Sequence, residues 1–100
     1  MAWHKLCDRS DLPEGGGKEF VIGGQIVALF LVEGEPQAVD GMCAHQGGPI
    51  AQGALQDKCV TCPWHGWQYD VKTGCNLLTK KKMLNVFTTD WRGDELWIEL

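Results

Sequence analysis

The chain of 100 residues has no apolar run longer than seven, Ile26 to Val32, far short of the roughly 20 that a membrane-spanning helix needs. No contact with a bilayer is expected. Met1 to Asp8 lacks a basic segment followed by an apolar stretch and a small-residue cleavage site, so secretion is not expected either. No segment of eleven or more residues carries a 3.6-residue apolar period, and there is no internal repeat or low-complexity tract, so helix content should be low. Positive charge is scarce: 9 basic residues face 13 acidic ones, a net charge of −4. That balance argues against nucleic acid or an anionic membrane as partner and favours a protein, one with a basic face. Cysteine is odd in number and uneven in spacing, at Cys7, Cys43, Cys59, Cys62 and Cys75. A secreted disulfide framework fits this poorly; reduced cytoplasmic thiols, some of them binding metal, fit better. Glu14 and Asp70 have no paired carboxylate context, so acid–base catalysis is not supported.

What is present suits one small globular domain over residues 1–100, with 44% hydrophobic and 22% charged residues and 13 glycines. A chain of this size buries only about 60 to 65% of its unfolded surface, so its core would gain from a metal or cluster clamp. Five Trp add large packing units or a flat docking rim.

Phe20-Val21-Ile22 and Gln25 to Val32 are β-rich runs separated by Gly23-Gly24, which predicts a hairpin with a primed two-residue turn. Glu33-Gly34-Glu35-Pro36 is a polar turn and Gln37-Ala38-Val39 restarts an extended segment, so the first 40 residues read as a meander. Near the other end, Met83 to Thr89 and Glu95 to Leu100 flank a turn at Arg92-Gly93-Asp94, and the last strand alternates in and out. The base is thus expected from 1–40 and 80–100. Between its halves, 41–79 holds four of the five cysteines and two of the three histidines.

That central stretch contains Cys43-Ala44-His45 and, after sixteen intervening residues, Cys62-Pro63-Trp64-His65. Each clip offers a thiolate and an imidazole, donors that suit zinc or an iron–sulfur centre rather than calcium or magnesium. Gln46-Gly47-Gly48-Pro49 follows the first clip and Gly66 the second, so both fall on tight loops where backbone amides can turn toward a metal-bound sulfur. A zinc finger would instead carry its histidines on a helix, three to five residues apart.

Cys-x-His, a spacer of sixteen and Cys-x-x-His, supported by Gly47-Gly48-Pro49 and by Cys62 to Asp70, resemble the soluble Rieske-type ferredoxins, and the order of strands, lobe, Lys72-Thr73-Gly74 and closing hairpin resembles that family along the chain. The resemblance implies an all-β, Rieske-like fold: an antiparallel β-sandwich base with a small loop-rich cluster-binding lobe. It also implies a [2Fe–2S] cluster, one per chain, with Cys43 and Cys62 on one iron and His45 and His65 on the other. The implied function is that of a soluble, cytoplasmic, monomeric electron carrier, not an enzyme, passing one electron from a reductase to an oxygenase or similar terminal enzyme. A zinc-stabilised, non-redox binding module is the alternative. An oxygenase in its own right is excluded by inventory, because a mononuclear iron site needs two more histidines and a carboxylate and only His4 is left over.

Departures from the family pattern carry information. High-potential relatives have a pair of cysteines where this chain has Gly48 and Trp64, so their loop-tying disulfide cannot form here. Their serine donor position holds Trp67, whereas the matching tyrosine is kept as Tyr69. One strong hydrogen bond to the cluster is therefore missing, which predicts a potential near the low end of the family range, roughly −150 mV. Relatives also cover the cluster with a proline in a third loop, which Cys75-Asn76-Leu77-Leu78-Thr79 lacks.

The remaining candidates have plainer readings. His4 is expected to serve surface or packing, and Cys7 and Cys75 to be small buried or half-buried side chains. Cys59 and Cys62 mimic a redox Cys-x-x-Cys, but strand alternation places them on opposite faces. Trp64, Pro49 and Pro63 are expected to form an apolar rim around the histidines, with the acidic excess farther out. Lys80-Lys81-Lys82 reads as a solvated turn.

Overall fold

The computed structural model describes residues 2–12, 17–42, 49–64 and 66–100. Among these, ten strands and two single 3-10 turns make up the regular structure, with no α-helix. β2 (Gly17–Ile22), β3 (Gln25–Val32) and β4 (Glu35–Asp40) form the expected meander. Gly23 and Gly24 take φ of 56° and 85°, as a type I′ turn requires, so Ile22 pairs with Gln25. The next turn uses Glu33 and Gly34 at φ of 54° and 79°.

β3 explains its own composition. Val27 and Leu29 point into one apolar cluster with Leu6, Cys7, Ala38, Leu96 and Ile98. Ala28, Phe30 and Val32 point into another with Val39, Ile50, Val60, Cys62, Tyr69 and Leu84. The seven-residue apolar run therefore has a core on each face, where alternation disappears. Every residue from Val27 to Phe30 is fully buried.

Two expectations change here. β1 (Trp3–Asp8) does not join the meander but pairs with β10 (Glu95–Glu99), which pairs in turn with β9 (Thr89–Arg92). A bulge in β1 between Lys5 and Cys7 lets consecutive residues Leu6 and Cys7 both turn inward. The strand expected over 83–89 is divided: β8 (Val86–Phe87) extends the meander sheet beside β4, and after Thr88 the chain passes into the β1–β10–β9 sheet. Thr88 holds the corner by accepting a 2.9 Å hydrogen bond from the Glu99 amide.

The third sheet comprises β5 (Ala54–Gln56), β6 (Cys59–Thr61) and β7 (Gln68–Asp70) and falls entirely within 41–79. Its apolar residues lie on the β3 face opposite to the one covered by β1 and β10, giving the order outer sheet, central sheet, lobe. Gly74 ties the lobe to the base: its carbonyl accepts from the amides of Met83 (2.9 Å) and Leu84 (3.1 Å). Its φ is 77°, and a Cβ there would collide with the Leu84 carbonyl oxygen.

Gly74→Ala should therefore cost both left-handed strain and a backbone clash, about 2 kcal/mol or more, or a fall in Tm of about 10 °C. Gly23→Ala has similar φ but open space around it, and should cost about 1 kcal/mol. Thermal denaturation of both variants checks this, and equal losses would contradict the role given to Gly74.

Candidate metal centre

Two loops emerge from the lobe, and the described residues show how each is pinned at its feet. Met42 and Pro49 form an isolated antiparallel bridge, reinforced by the Ile50 amide donating to the Gly41 carbonyl at 3.0 Å. Pro49 leads into a 3-10 turn, Ile50–Gln52, whose Ile50 and Ala51 are buried. The second loop caps the β6–β7 ladder: beyond the Thr61–Gln68 pair, the Cys62 amide donates to the Trp67 carbonyl at 2.7 Å. Gly66, just before Trp67, takes φ of 72°.

The feet share one core. Ile50 from the first loop and Cys62 from the second belong to the same apolar cluster as Val60 and Tyr69. Gly53, just past the 3-10 turn, packs so closely on β6 that a Cβ would collide with the Thr61 carbonyl oxygen. The feet of the two loops are thereby held at a fixed spacing by packed backbone.

Cys62 is 1% exposed, and the strand alternation expected for it holds: Val60 and Cys62 face inward, Cys59 and Thr61 are only half-buried. Cys43, His45 and His65 lie outside the described residues, as do Gly47 and Gly48. Among the described residues no three of His, Cys, Asp and Glu converge on one point. Cys7 sits in the core on the far side of the central sheet, where burial pushes its thiol pKa up and keeps it protonated. His4 is exposed on β1 in that same outer sheet. Trp64 is 49% exposed, as a rim residue would be, and Lys80, Lys81 and Lys82 are exposed.

Tyr69 is fully buried in the Cys62 cluster, and among the described residues no buried side-chain nitrogen or oxygen lacks a partner. Trp67 packs partly buried against the same cluster. The third loop lacks proline yet is firmly held, through a residue that sequence reasoning overlooked. Asn76 is 3% exposed, and its Oδ1 accepts from the amides of Leu78 and Thr79, both at 2.9 Å. Leu77 donates to the Gln68 carbonyl at 3.0 Å, so the loop runs beside β7. A groove of about 440 Å³ separates Gly66, Trp67 and Gln68 from Asn76, Leu77, Leu78 and Thr79. The signal lay in Asn76 followed by two leucines and a threonine, a side chain able to close a turn on its own backbone.

A dry thiol on a tight turn, with a buried tyrosine beneath it and a second pinned loop adjoining, suits a small sulfur-ligated cluster. A family model for the Rieske [2Fe-2S] domain matches residues 2–88. The chain belongs to the Rieske [2Fe–2S] family. It carries a Rieske-type [2Fe–2S] cluster and acts as an electron carrier rather than a catalyst. The ferredoxin component of the naphthalene 1,2-dioxygenase system of Pseudomonas aeruginosa is 36% identical over 101 residues, covering 98% of this chain and 95% of the relative. The ferredoxin component of naphthalene 1,2-dioxygenase/salicylate 5-hydroxylase systems of a Ralstonia species is 36% identical over 81 residues, 78% of each chain. In a solved complex of reduced oxygenase and oxidized ferredoxin of carbazole 1,9a-dioxygenase, one chain superposes with a TM-score of 0.84 at 26% identity, over 96% of this chain and 91% of that one. No helix among the described residues of this Rieske protein is long and apolar enough to cross a membrane.

The feet and the rim should respond differently to truncation. Ile50→Ala removes a fully buried side chain beneath both loops and should cost about 2–5 kcal/mol. Trp64→Ala, at a half-exposed site, should stay within about 0.5 kcal/mol. Chemical denaturation of the two variants measures this; a large loss at Trp64 would place it under the loop instead of on the rim.

Proposed function

We propose that Cys43 and Cys62 bind one iron of the cluster and His45 and His65 the other, and that the chain passes single electrons from a reductase to a terminal oxygenase. The observation that carries this reading is the pinning of both clip-bearing loops over one core that already contains the Cys62 thiol. When bound, the cluster supplies one-electron redox chemistry. Two thiolates bring a core of two ferric ions and two sulfides from +2 to neutral, whereas four would leave −2. The neutral imidazoles therefore ease the uptake of an electron. Tyr69 is the one hydroxyl donor kept from the high-potential pattern, and Trp67 replaces the other. Support for an oxygenase as acceptor comes from the relatives, which are ferredoxin components of dioxygenase systems.

This reading includes a single unit over residues 1–100, with the base from 1–40 and 80–100 and the lobe from 41–79. It also includes a monomeric protein working in the cytoplasm, in keeping with five cysteines that form no disulfide framework in the sequence.

Metal and sulfide analysis of the purified protein should give two iron atoms and two acid-labile sulfides per chain, and zinc without sulfide would instead support a non-redox binding module. Cys62→Ser should abolish the visible spectrum, while Cys7→Ser, Cys59→Ser and Cys75→Ser should retain it. Loss of the cluster in any of the last three would overturn the ligand assignment.

Redox titration should place the midpoint near roughly −150 mV. Tyr69→Phe should lower it by about 40 mV, the equivalent of one hydrogen bond of about 1 kcal/mol. An unchanged midpoint would remove Tyr69 from the cluster's surroundings.

A further inference from the structure

The net charge of −4 hides an uneven distribution. Residues 41–82 hold five lysines, Lys58, Lys72, Lys80, Lys81 and Lys82, against two aspartates, Asp57 and Asp70, a balance of +3. The rest of the chain has four basic residues against eleven acidic ones, a balance of −7. The layers set part of the acidic population apart: Asp8, Asp90, Asp94, Glu95 and Glu99 belong to the outer sheet of β1, β9 and β10 or its turn, which stacks on the side of the central sheet away from the lobe. Sheets pack about 10 Å apart and the Debye length is about 8–10 Å near physiological salt. A partner facing the lobe therefore senses the lysines and little of the acidic outer sheet.

Within the lobe, Asp70 is matched by Lys58 at 3.5 Å. Asp57, Lys58 and Lys72 stand at the end of β6 and β7 opposite to the Cys62–Trp67 turn. Lys80, Lys81 and Lys82 differ. All three are exposed, and none forms an ion pair with a described residue. They close the third loop: Lys82 bridges to Cys75, the Asn76 amide donates to the Lys81 carbonyl at 2.9 Å, and the Lys80 amide donates to the Asn76 carbonyl at 2.9 Å. That loop is one wall of the groove beside Gly66 and Trp67.

The loop is hydrogen-bonded along its backbone without being buried. Its backbone is held by Asn76 and by the Gln68 carbonyl, Lys80 sits at a left-handed φ of 64°, and Leu78 is nevertheless 90% exposed. Leu78 lines the groove with Gly66 and Trp67, so its exposed side chain adds to an apolar surface available for contact. Trp64, 49% exposed, lies on the neighbouring turn.

We propose that Trp64, Leu78 and the groove between Trp67 and Leu77 form the apolar centre of a docking face, rimmed by Lys80, Lys81 and Lys82. The face fits a redox partner protein whose electron-entry site is surrounded by carboxylates, the opposite sign from the one that net charge suggests. Apolar contact holds the pose while the lysines orient the approach. The proposal rests on the electron-carrier reading above.

Stopped-flow oxidation of the dithionite-reduced holoprotein tests it with two acceptors: plastocyanin, which presents an acidic patch, and cytochrome c, whose haem edge is ringed by lysines. The triple variant Lys80→Glu, Lys81→Glu, Lys82→Glu should slow transfer to plastocyanin on the order of tenfold at 0.1 M ionic strength and leave cytochrome c unaffected or faster. In the unmodified protein, raising ionic strength from 0.1 to 0.5 M should slow the plastocyanin reaction, an arm that needs no variant to fold. A variant that bleaches fully with dithionite yet reacts with plastocyanin at the original rate overturns the docking face alone, as does a wild-type rate that rises with salt. Wild-type protein that does not bleach overturns the carrier reading and the docking face with it.

Discussion

Everything in this molecule leans on the double burial of β3. Residues Val27 to Phe30 are shut off from water on both faces, so each side chain that faces one way anchors the outer sheet and each that faces the other anchors the lobe. A small chain cannot afford two independent cores, and here β3, with β4 beside it, serves both. Burying a Phe or Leu side chain contributes about 1.5–3 kcal/mol. The central strand thus links the stability of the lobe to that of the base, and the loop feet inherit that rigidity through Ile50 and Cys62.

Packed feet matter because Gly48 and Trp64 carry no thiols that could tie the loops. Gly48 and Trp64 occupy the places where high-potential relatives carry the cysteines that join their loops. Here the spacing is held by the Met42–Pro49 bridge, the Cys62–Trp67 hydrogen bond and the close approach of Gly53 to β6. Trp64 itself is half exposed, where a contact surface gains an aromatic ring.

Much of this was legible in the sequence, and the exceptions have physical reasons. The Gly23-Gly24 turn and the inward-facing Cys62 depend on neighbours in the chain, so local chemistry was enough to read them. The pairing of β1 with β10 brings together residues more than 80 positions apart, and no local pattern in Trp3 to Asp8 distinguishes that partner from β2. The sheet change at Thr88 was hidden for a similar reason, since Val86 to Thr89 is an apolar and β-branched run that reads as one strand. Asn76 escaped notice because the family pattern directs attention to a proline, while an amide side chain stabilises the loop by a different route. The charge asymmetry stood in the sequence throughout but acquires meaning only once the layers show which charges share a face.

The central claim is mixed ligation, two thiolates on one iron and two imidazoles on the other, from loops held by a common core. Pulsed EPR of the reduced protein, with histidine uniformly labelled with nitrogen-15, addresses it most directly. The account predicts strong coupling of the cluster spin to two histidine nitrogens, lost in part when either His45 or His65 is replaced. A paramagnetic cluster with no histidine nitrogen coupled to it would contradict the account.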